Sequence, residues 1–147
     1  MTACVVGVGN AFRGDDAVGL EVARLLTGTV DAPVVEYEGE PVALLDAWEG
    51  HDRVFVIDAM QSGAAAGTVR RVAAHSEPLP PELGRTSTHL LGVAEAIELA
   101  RALGRLPAET VVYAIEGERF EAGSTLSPAV AAAAAAVAAS VRDELGA

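Results

Sequence analysis

Residues 3–26 have the sequence ACVVGVGNAFRGDDAVGLEVARLL, and the order of its parts decides the fold class. Residues 3–8 form a short apolar run rich in valine, which predicts a strand buried on both faces. After the loop, Val18, Val22 and Leu25 recur at helical spacing, with charged side chains on the opposite face. The stretch is therefore predicted to form a strand, a loop and a helix, the opening unit of a layered α/β domain.

The alternation of strands and helices continues along the chain. Four more strands are predicted at residues 34–37, 54–57, 68–72 and 110–115. The arginines in the 68–72 run indicate a partly exposed strand at the sheet edge. We therefore predict a single three-layer α/β domain over residues 1–147, with a mostly parallel, twisted, five-stranded sheet and helices on both faces.

Three further helices are predicted between and after the strands. Residues 41–48 form a short helix opened by a proline, which is well tolerated in a first turn. The next helix is predicted to begin at a Ser87 or Thr88 cap and to stop at Gly104. The last helix begins at Ser127-Pro128, a cap followed by proline at the first helical position. The apolar face of the middle helix consists of Leu90, Val93, Ile97 and Ala100.

The net charge and the single cysteine limit the classes of partner and compartment. Twenty-one acidic against ten basic residues give a formal net charge of −11, which would repel nucleic acid and anionic membrane surfaces. Cys4 has no second cysteine with which to form a disulfide or a thiolate zinc site, so a reducing compartment, the cytoplasm, is expected. The opening residues do not resemble a signal peptide, and the apolar stretch at residues 129–139 falls well short of the ~20 residues of a membrane span.

Ligand-type side chains follow several of the predicted strands. Asp16 lies after the first strand, beside Asp15. Asp58 closes the third strand and Glu116 ends the last one. His89 falls in the first turn of a predicted helix, where the positive helix end keeps the imidazole neutral and able to bind a metal. Because sites in parallel sheets form at the carboxyl ends of strands, these side chains are expected on one rim. Two carboxylates and an imidazole suit nickel, zinc or manganese and leave a coordination position open.

Each of these residues also has a purely structural interpretation. Asp58 could form a turn or cap a helix, and Asp15 and Asp16 could complement the positive end of a helix. His89 could be a packed helix histidine, and Glu116 a solvated strand terminus. The spacing contains no local motif of the H-E-x-x-H kind, so these alternatives stay open.

Other common chemistries fit the sequence less well. Residues 7–9 lack the third glycine of G-x-G-x-x-G, and an adjacent pair of aspartates would repel a pyrophosphate. No G-x-S-x-G motif occurs, and Cys4 lies in the middle of a predicted strand, where it is expected in the core. His51 and His75 are predicted to be solvated. Nucleotide binding and serine or cysteine hydrolysis are therefore disfavoured.

Short motifs are spread along nearly the whole chain. They are GVGN at residues 7–10, GDDAVG at 14–19, VIDA at 56–59, STH at 87–89, ALG at 102–104, YAIE at 113–116 and LSP at 126–128. Their order and combination resemble the hydrogenase maturation endopeptidases, the enzymes that trim the large subunit of nickel-iron hydrogenases. The combination is much more specific than any single motif.

The resemblance implies a single α/β domain with a five-stranded sheet, in agreement with the periodicity. It also implies that Asp16, Asp58 and His89 are both the catalytic residues and the metal ligands of an aspartic-type or metal-dependent peptidase. The metal would be nickel already inserted in a nickel-iron hydrogenase large-subunit precursor, with zinc or cadmium able to replace it in crystals. The enzyme, expected to be a monomer, would remove the C-terminal extension of that precursor and so activate it.

Several residues of the rim are expected to contact the substrate. Asn10 and the backbone of Gly9 could donate hydrogen bonds near the scissile carbonyl, or could simply form a turn. Gly39 and Glu116 are assigned to substrate binding as well. The base that begins the reaction stays open, since either a carboxylate or a metal-activated water could attack the scissile carbonyl.

The chain departs from the family pattern at three places. Some members carry glutamate at the position of Asp16, and a glycine often stands at the position of Ala17. Better-known members have a Gly-Thr type of loop where this chain has Gly39-Glu40-Pro41. Two other functions therefore stay open: a binding protein that recognises the nickel-loaded subunit without cutting it, and a general small-molecule metallohydrolase.

Overall fold

The strands in the described part of the chain form one sheet. A computed structural model describes residues 2–38, 43–80 and 92–146. Its strands are β1 (Ala3–Val8), β2 (Val34–Tyr37), β3 (Arg53–Met60), β4 (Val69–Ala73) and β5 (Glu109–Glu116). The strand order is β2-β1-β3-β5-β4, with β4 antiparallel to β5 and the other neighbours parallel. The predicted mostly parallel five-stranded sheet is confirmed, and the strand with the two arginines lies at its edge.

Helices cover both faces of the sheet, as predicted. They are α1 (Val18–Leu26), α2 (Leu44–Ala47), α3 (Val93–Ala102) and α4 (Pro128–Gly146), and a 3₁₀ turn spans Gly14–Ala17. α1 and α4 pack on one face, in the core that contains Phe55, and α2 and α3 pack on the other, in the core that contains Trp48. None of the helices in the described part of the chain is long and apolar enough to cross a membrane.

Two helices begin later than the sequence predicts. α3 begins at Val93, because the backbone of Gly92 before it is extended, with φ −74° and ψ 173°. Ser87, Thr88 and His89, the residues predicted for the cap and the first turn, lie outside the described residues. α2 begins at Leu44, and the proline expected to open it lies outside the described residues.

Two glycines allow α1 to lie directly on the sheet. A Cβ at Gly19 would lie 2.2 Å from the carbonyl oxygen of Val8 and 2.4 Å from that of Ile57. A Cβ at Gly7 would lie 2.1 Å from the carbonyl oxygen of Gly19. Side chains cannot be accommodated at such distances, so both positions require glycine. The close approach brings the start of α1, and the 3₁₀ turn before it, onto the carboxyl ends of β1 and β3.

We expect Gly19→Ala to lower the free energy of unfolding by about 1–3 kcal/mol or more, because the added methyl group overlaps two strand carbonyls. The cost outweighs the gain of about 1 kcal/mol that alanine brings to a helix interior. Urea unfolding measures the difference. Gly146→Ala is the matched control, since a Cβ at Gly146 meets no atom within 4 Å. Equal stability of Gly19→Ala and the wild type would contradict the close approach.

Candidate active site

Two buried carboxylates lie near each other at the carboxyl edge of the sheet. Asp58 is part of β3, two residues before its end and opposite Ala114, so its interpretation as a turn residue is wrong. Asp16 belongs to the 3₁₀ turn, and the two residues are 9% and 3% exposed respectively. Burial, and then the nearby charge of Asp16, raise the pKa of Asp58 well above its usual value of 3.8. A hydrogen bond from the Ala59 N–H to Asp58 Oδ1 (2.8 Å) acts in the opposite direction on this pKa.

This pair of carboxylates is suited to a divalent cation. Carboxylate oxygens are ligands for several transition metals, and a bound cation would offset the repulsion between two charges held out of water. Across residues 2–38, 43–80 and 92–146, no group of three or more His, Cys, Asp or Glu side chains is arranged to hold a metal ion. His89, the third predicted ligand, lies outside these residues. The structure therefore brings together two of the three predicted ligands, and the complete metal site stays a prediction.

Asp15, the neighbour of Asp16, has a different role. Its carboxylate accepts hydrogen bonds from the backbone N–H groups of Glu118 (2.9 Å), Arg119 (2.9 Å) and Ser127 (2.7 Å). The Ser127 hydroxyl donates a fourth, also at 2.7 Å. Burial raises the pKa of Asp15, but the hydrogen bonds outweigh it and lower the pKa below its usual value. Asp15 thus anchors the segment that connects β5 to α4.

The start of α4 shows why this anchor is hard to foresee. Ser127 occupies the predicted position before the helix, and its carbonyl oxygen accepts a hydrogen bond from the Ala131 N–H (2.9 Å). Its hydroxyl, expected to cap the helix, donates instead to a carboxylate 112 positions away in the sequence. Serine before proline predicts a helix start, but no local pattern predicts so distant an acceptor.

The segment 117–127 is fastened at further points to the loop that follows β1. The Gly123 N–H donates to the Phe12 carbonyl oxygen (2.8 Å). Arg13 Nε donates to the Phe120 carbonyl oxygen (3.1 Å). Together with the Asp15 anchor, these bonds join the two loops into one layer at the carboxyl ends of β1 and β5.

Backbone donors that were expected to face the substrate are engaged within the chain. The Gly9 N–H donates to the Tyr37 carbonyl oxygen (3.1 Å), and the Asn10 N–H donates to that of Asp16 (3.2 Å). Asn10 Oδ1 accepts a hydrogen bond from the Phe12 N–H (3.0 Å), which is the turn role considered as the alternative. The Gly9 N–H is therefore not available to a substrate, and substrate binding by Asn10 would use its side-chain NH2 group.

Glu116 ends β5, but its carboxylate is turned into the protein. The residue is 2% exposed, so its interpretation as a solvated strand terminus is wrong. It accepts hydrogen bonds from the Ser62 hydroxyl (2.6 Å) and from the backbone N–H groups of Ser62 (3.0 Å) and Gly63 (3.3 Å). Glu116 therefore anchors the connection from β3 to β4, and its contact with substrate stays a prediction. Gly39, also assigned to the substrate, lies outside the described residues.

The other histidines and the cysteine lie apart from the carboxylate pair. His51 precedes β3, at the amino edge of the sheet, and is half-buried, with its Nδ1 out of contact with water, so it is only partly solvated. His75 is exposed, as predicted, while its Nδ1 accepts a hydrogen bond from the Thr110 N–H (3.0 Å). Cys4 is 1% exposed and lies in the core, as expected.

Comparison with protein families and curated proteins gives a consistent result. Residues 34–144 match the family model described as hydrogenase maturation protease. The chain is 25% identical over 121 residues to the hydrogenase expression/formation protein HoxM of Azotobacter vinelandii, covering 80% of this chain and 58% of that protein. It is 24% identical over 136 residues to the hydrogenase 2 maturation protease of Escherichia coli, covering 90% and 83%. The chain spans less than two thirds of the length of HoxM and of HupD from Thiocapsa roseopersicina, at 58% and 59%.

Solved structures resemble the molecule over nearly its whole length. The hydrogenase maturating endopeptidase HybD from Escherichia coli superposes with a TM-score of 0.74 at 25% identity, covering 98% of this chain and 94% of that one. The NiFe hydrogenase maturation protease HybD from Thermococcus kodakarensis superposes with a TM-score of 0.73 at 26% identity, covering 99% of both chains. The five-stranded α/β architecture is therefore shared with these proteins.

We expect Asp58→Asn to raise the free energy of unfolding at pH 7 by about 1 kcal/mol or more, since one pKa unit corresponds to about 1.4 kcal/mol. The folded-state pKa of Asp58 is raised, so ionisation opposes folding increasingly as the pH rises above 3.8, and asparagine removes this cost. Urea unfolding from about pH 4 to pH 8 measures the difference in free energy of unfolding between variant and wild type, which should shrink towards acid pH. The exposed Asp143 supplies the control Asp143→Asn. A variant no more stable than the wild type at pH 7 would overturn the expectation.

Asp15→Asn should have the opposite effect and lower the free energy of unfolding at pH 7 by about 2–4 kcal/mol. Asparagine has one acceptor oxygen. Its NH2 group would therefore face donor groups whose hydrogen bonds the second carboxylate oxygen accepts in the wild type. Because the folded-state pKa of Asp15 is lowered, its stabilisation is complete above the usual value of 3.8 and is lost as the pH falls through the folded-state pKa. The difference between variant and wild type should therefore narrow in acid. Urea unfolding of both proteins, from pH 7 into the acid range, measures this difference. An Asp15→Asn unfolding midpoint at pH 7 equal to that of the wild type would refute the expectation.

Proposed function

Because the chain belongs to the hydrogenase maturation protease family, we propose that it is an endopeptidase that removes the C-terminal extension of a nickel-loaded nickel-iron hydrogenase large-subunit precursor. The observation that carries the proposal is the buried pair of Asp16 and Asp58 at the carboxyl edge of the sheet. Two carboxylates held together in this way destabilise the fold, and such sites are typical of functional centres. The same pair is the one assigned from the sequence.

The nickel ion belongs to the substrate in this proposal. Asp16, Asp58 and His89 are the residues that would hold it, and the ion would polarise the scissile carbonyl when bound. Binding through an ion that only the loaded precursor carries makes cleavage depend on completed metal insertion. The peptidase would therefore cut the nickel-loaded precursor and leave the nickel-free precursor uncut.

The residues around the pair support a role in positioning a peptide. Asp16 is held on one side by the backbone bond from Asn10 to its carbonyl oxygen, and on the other by the anchored Asp15. The Asn10 side chain is fixed by its bond to the Phe12 N–H, which orients its NH2 group for hydrogen bonding. A rigid loop beside the carboxylates reduces the entropy lost when substrate is aligned.

The test is a cleavage assay with the purified large-subunit precursor of the same organism, nickel-loaded and nickel-free, followed by mass spectrometry. The wild type should release one defined C-terminal peptide from the loaded precursor only. Asp16→Asn, Asp58→Asn and His89→Ala should each reduce cleavage by about 100-fold, because the asparagines replace a charged ligand of the ion by a neutral one and the alanine removes its ligand. Asp143→Asn, at an exposed position, is the control and should cut normally.

Three results would count against the proposal. A nickel-dependent complex without loss of mass would indicate a binding protein that does not cut. Turnover of simple esters or short peptides with added metal would indicate a general metallohydrolase. Cleavage unaffected by Asp16→Asn would remove that residue from the site.

A further inference from the structure

Phe12 is the most exposed large hydrophobic side chain in the described part of the chain. It is 77% exposed, against 57% for Leu103 and 39% for Val69. An aromatic ring in water contributes little to the stability of its own fold, since the hydrophobic effect depends on burial. The position of Phe12 therefore needs an explanation other than packing within this molecule.

The backbone that carries the ring is fixed. The Phe12 N–H donates to Asn10 Oδ1 (3.0 Å), and the Phe12 carbonyl oxygen accepts a hydrogen bond from the Gly123 N–H (2.8 Å). The next residue, Arg13, is held by the bond from its Nε to the Phe120 carbonyl oxygen (3.1 Å). The ring is thus presented on an ordered backbone, and binding would immobilise only its two side-chain torsions.

The position of the ring connects it to the carboxylate pair. Phe12 lies four residues before Asp16, in the loop that follows β1. The same loop forms one wall of an open groove of about 360 Å³. Three carboxylates and one guanidinium line this groove, those of Glu21, Glu36, Glu38 and Arg24, so acidic groups are in excess.

The charges of the groove indicate the kind of surface that would cover it. Glu21 is paired with Arg24 at 2.7 Å. Glu38 accepts a hydrogen bond from the Ala11 N–H (3.0 Å), which holds its carboxylate beside the loop, and Glu36 is exposed. The link between ring and groove is the backbone, since Ala11, which bonds Glu38 and lines the groove, directly precedes Phe12. A projecting ring and an acidic groove carried by one loop are complementary to an apolar pocket with basic side chains at its rim.

We propose that Phe12 and the acidic groove lined by the same loop form the surface that docks the folded body of the large-subunit precursor, with the ring inserted in an apolar pocket bordered by Lys or Arg. The inference rests on the proposed function and names the residue that selects the partner. A projecting ring fits a pocket on a macromolecule, and aromatic side chains are the residues that most often dominate protein interfaces. Docking at Phe12 would bring the C-terminal extension to Asp16 and Asp58.

The experiment measures steady-state cleavage of the nickel-loaded precursor by Phe12 variants. Phe12→Ala should raise KM about tenfold or more, with kcat changed by less than about twofold, because the lost contact lies outside the reacting atoms. Phe12→Leu, which keeps apolar bulk, should recover most of the loss. The unfolding midpoint of Phe12→Ala should equal that of the wild type, because the ring is not buried.

Two further variants separate docking from general surface effects. Leu103→Ala removes an exposed apolar side chain directly after α3, whereas Asp58 lies near the start of that helix. This variant should leave KM unchanged. Glu38→Gln keeps the acceptor for the Ala11 N–H and removes the charge. It should slow association at low salt by about twofold or more, and the effect should disappear at high salt.

The outcomes distinguish this inference from the proposed function. If the wild type cleaves the precursor and Phe12→Ala has the same KM, the docking role of Phe12 is overturned and the proteolytic function stands. If the wild type binds the precursor without cutting it, the proteolytic proposal fails, and the dissociation constant of Phe12→Ala decides docking: about tenfold weaker binding supports it and equal binding overturns it. A wild type that neither binds nor cuts the precursor overturns both.

Discussion

Two carboxylates, Asp16 and Asp58, are held near each other out of water, and the candidate site is built on this arrangement. Burial and mutual repulsion both oppose this arrangement, and both raise the pKa of Asp58. It persists because the backbone around it is fixed independently: β3 is paired on both sides, and Gly7 and Gly19 let α1 settle onto the strands. The fold thus supplies the stability that the site itself lowers, which is the usual relation between a scaffold and a functional centre.

The adjacent residues Asp15 and Asp16 have different roles at this edge of the sheet. Asp15 is fully buried with four hydrogen bonds and a lowered pKa, whereas the charge of Asp16 acts on Asp58. The first aspartate fixes the segment 117–127, and that segment in turn holds the loop that carries Phe12. A single 3₁₀ turn therefore couples the position of the carboxylate pair to the surface at which a partner would dock.

Local sequence patterns predicted the elements because each depends on nearby residues. The strands and the α1 and α4 helices follow from the spacing of apolar side chains, and Asp16 and Asp58 followed from the rule that parallel strands end on one rim. Contacts distant in sequence were missed: the hydroxyl of Ser127 turns to Asp15, and the carboxylate of Glu116 turns to Ser62. The start of α3 was misplaced because the extended backbone at Gly92 interrupts an apolar pattern that continues before it.

If Asp16 and Asp58 form the protein side of a metal site, a nickel ion should bind between them. X-ray diffraction at the nickel absorption edge, from crystals soaked with nickel, tests it most directly. We expect an anomalous peak within about 2.0–2.2 Å of an oxygen atom from each carboxylate, with the His89 imidazole as the third ligand. A nickel peak elsewhere, or none between the two carboxylates, would contradict it.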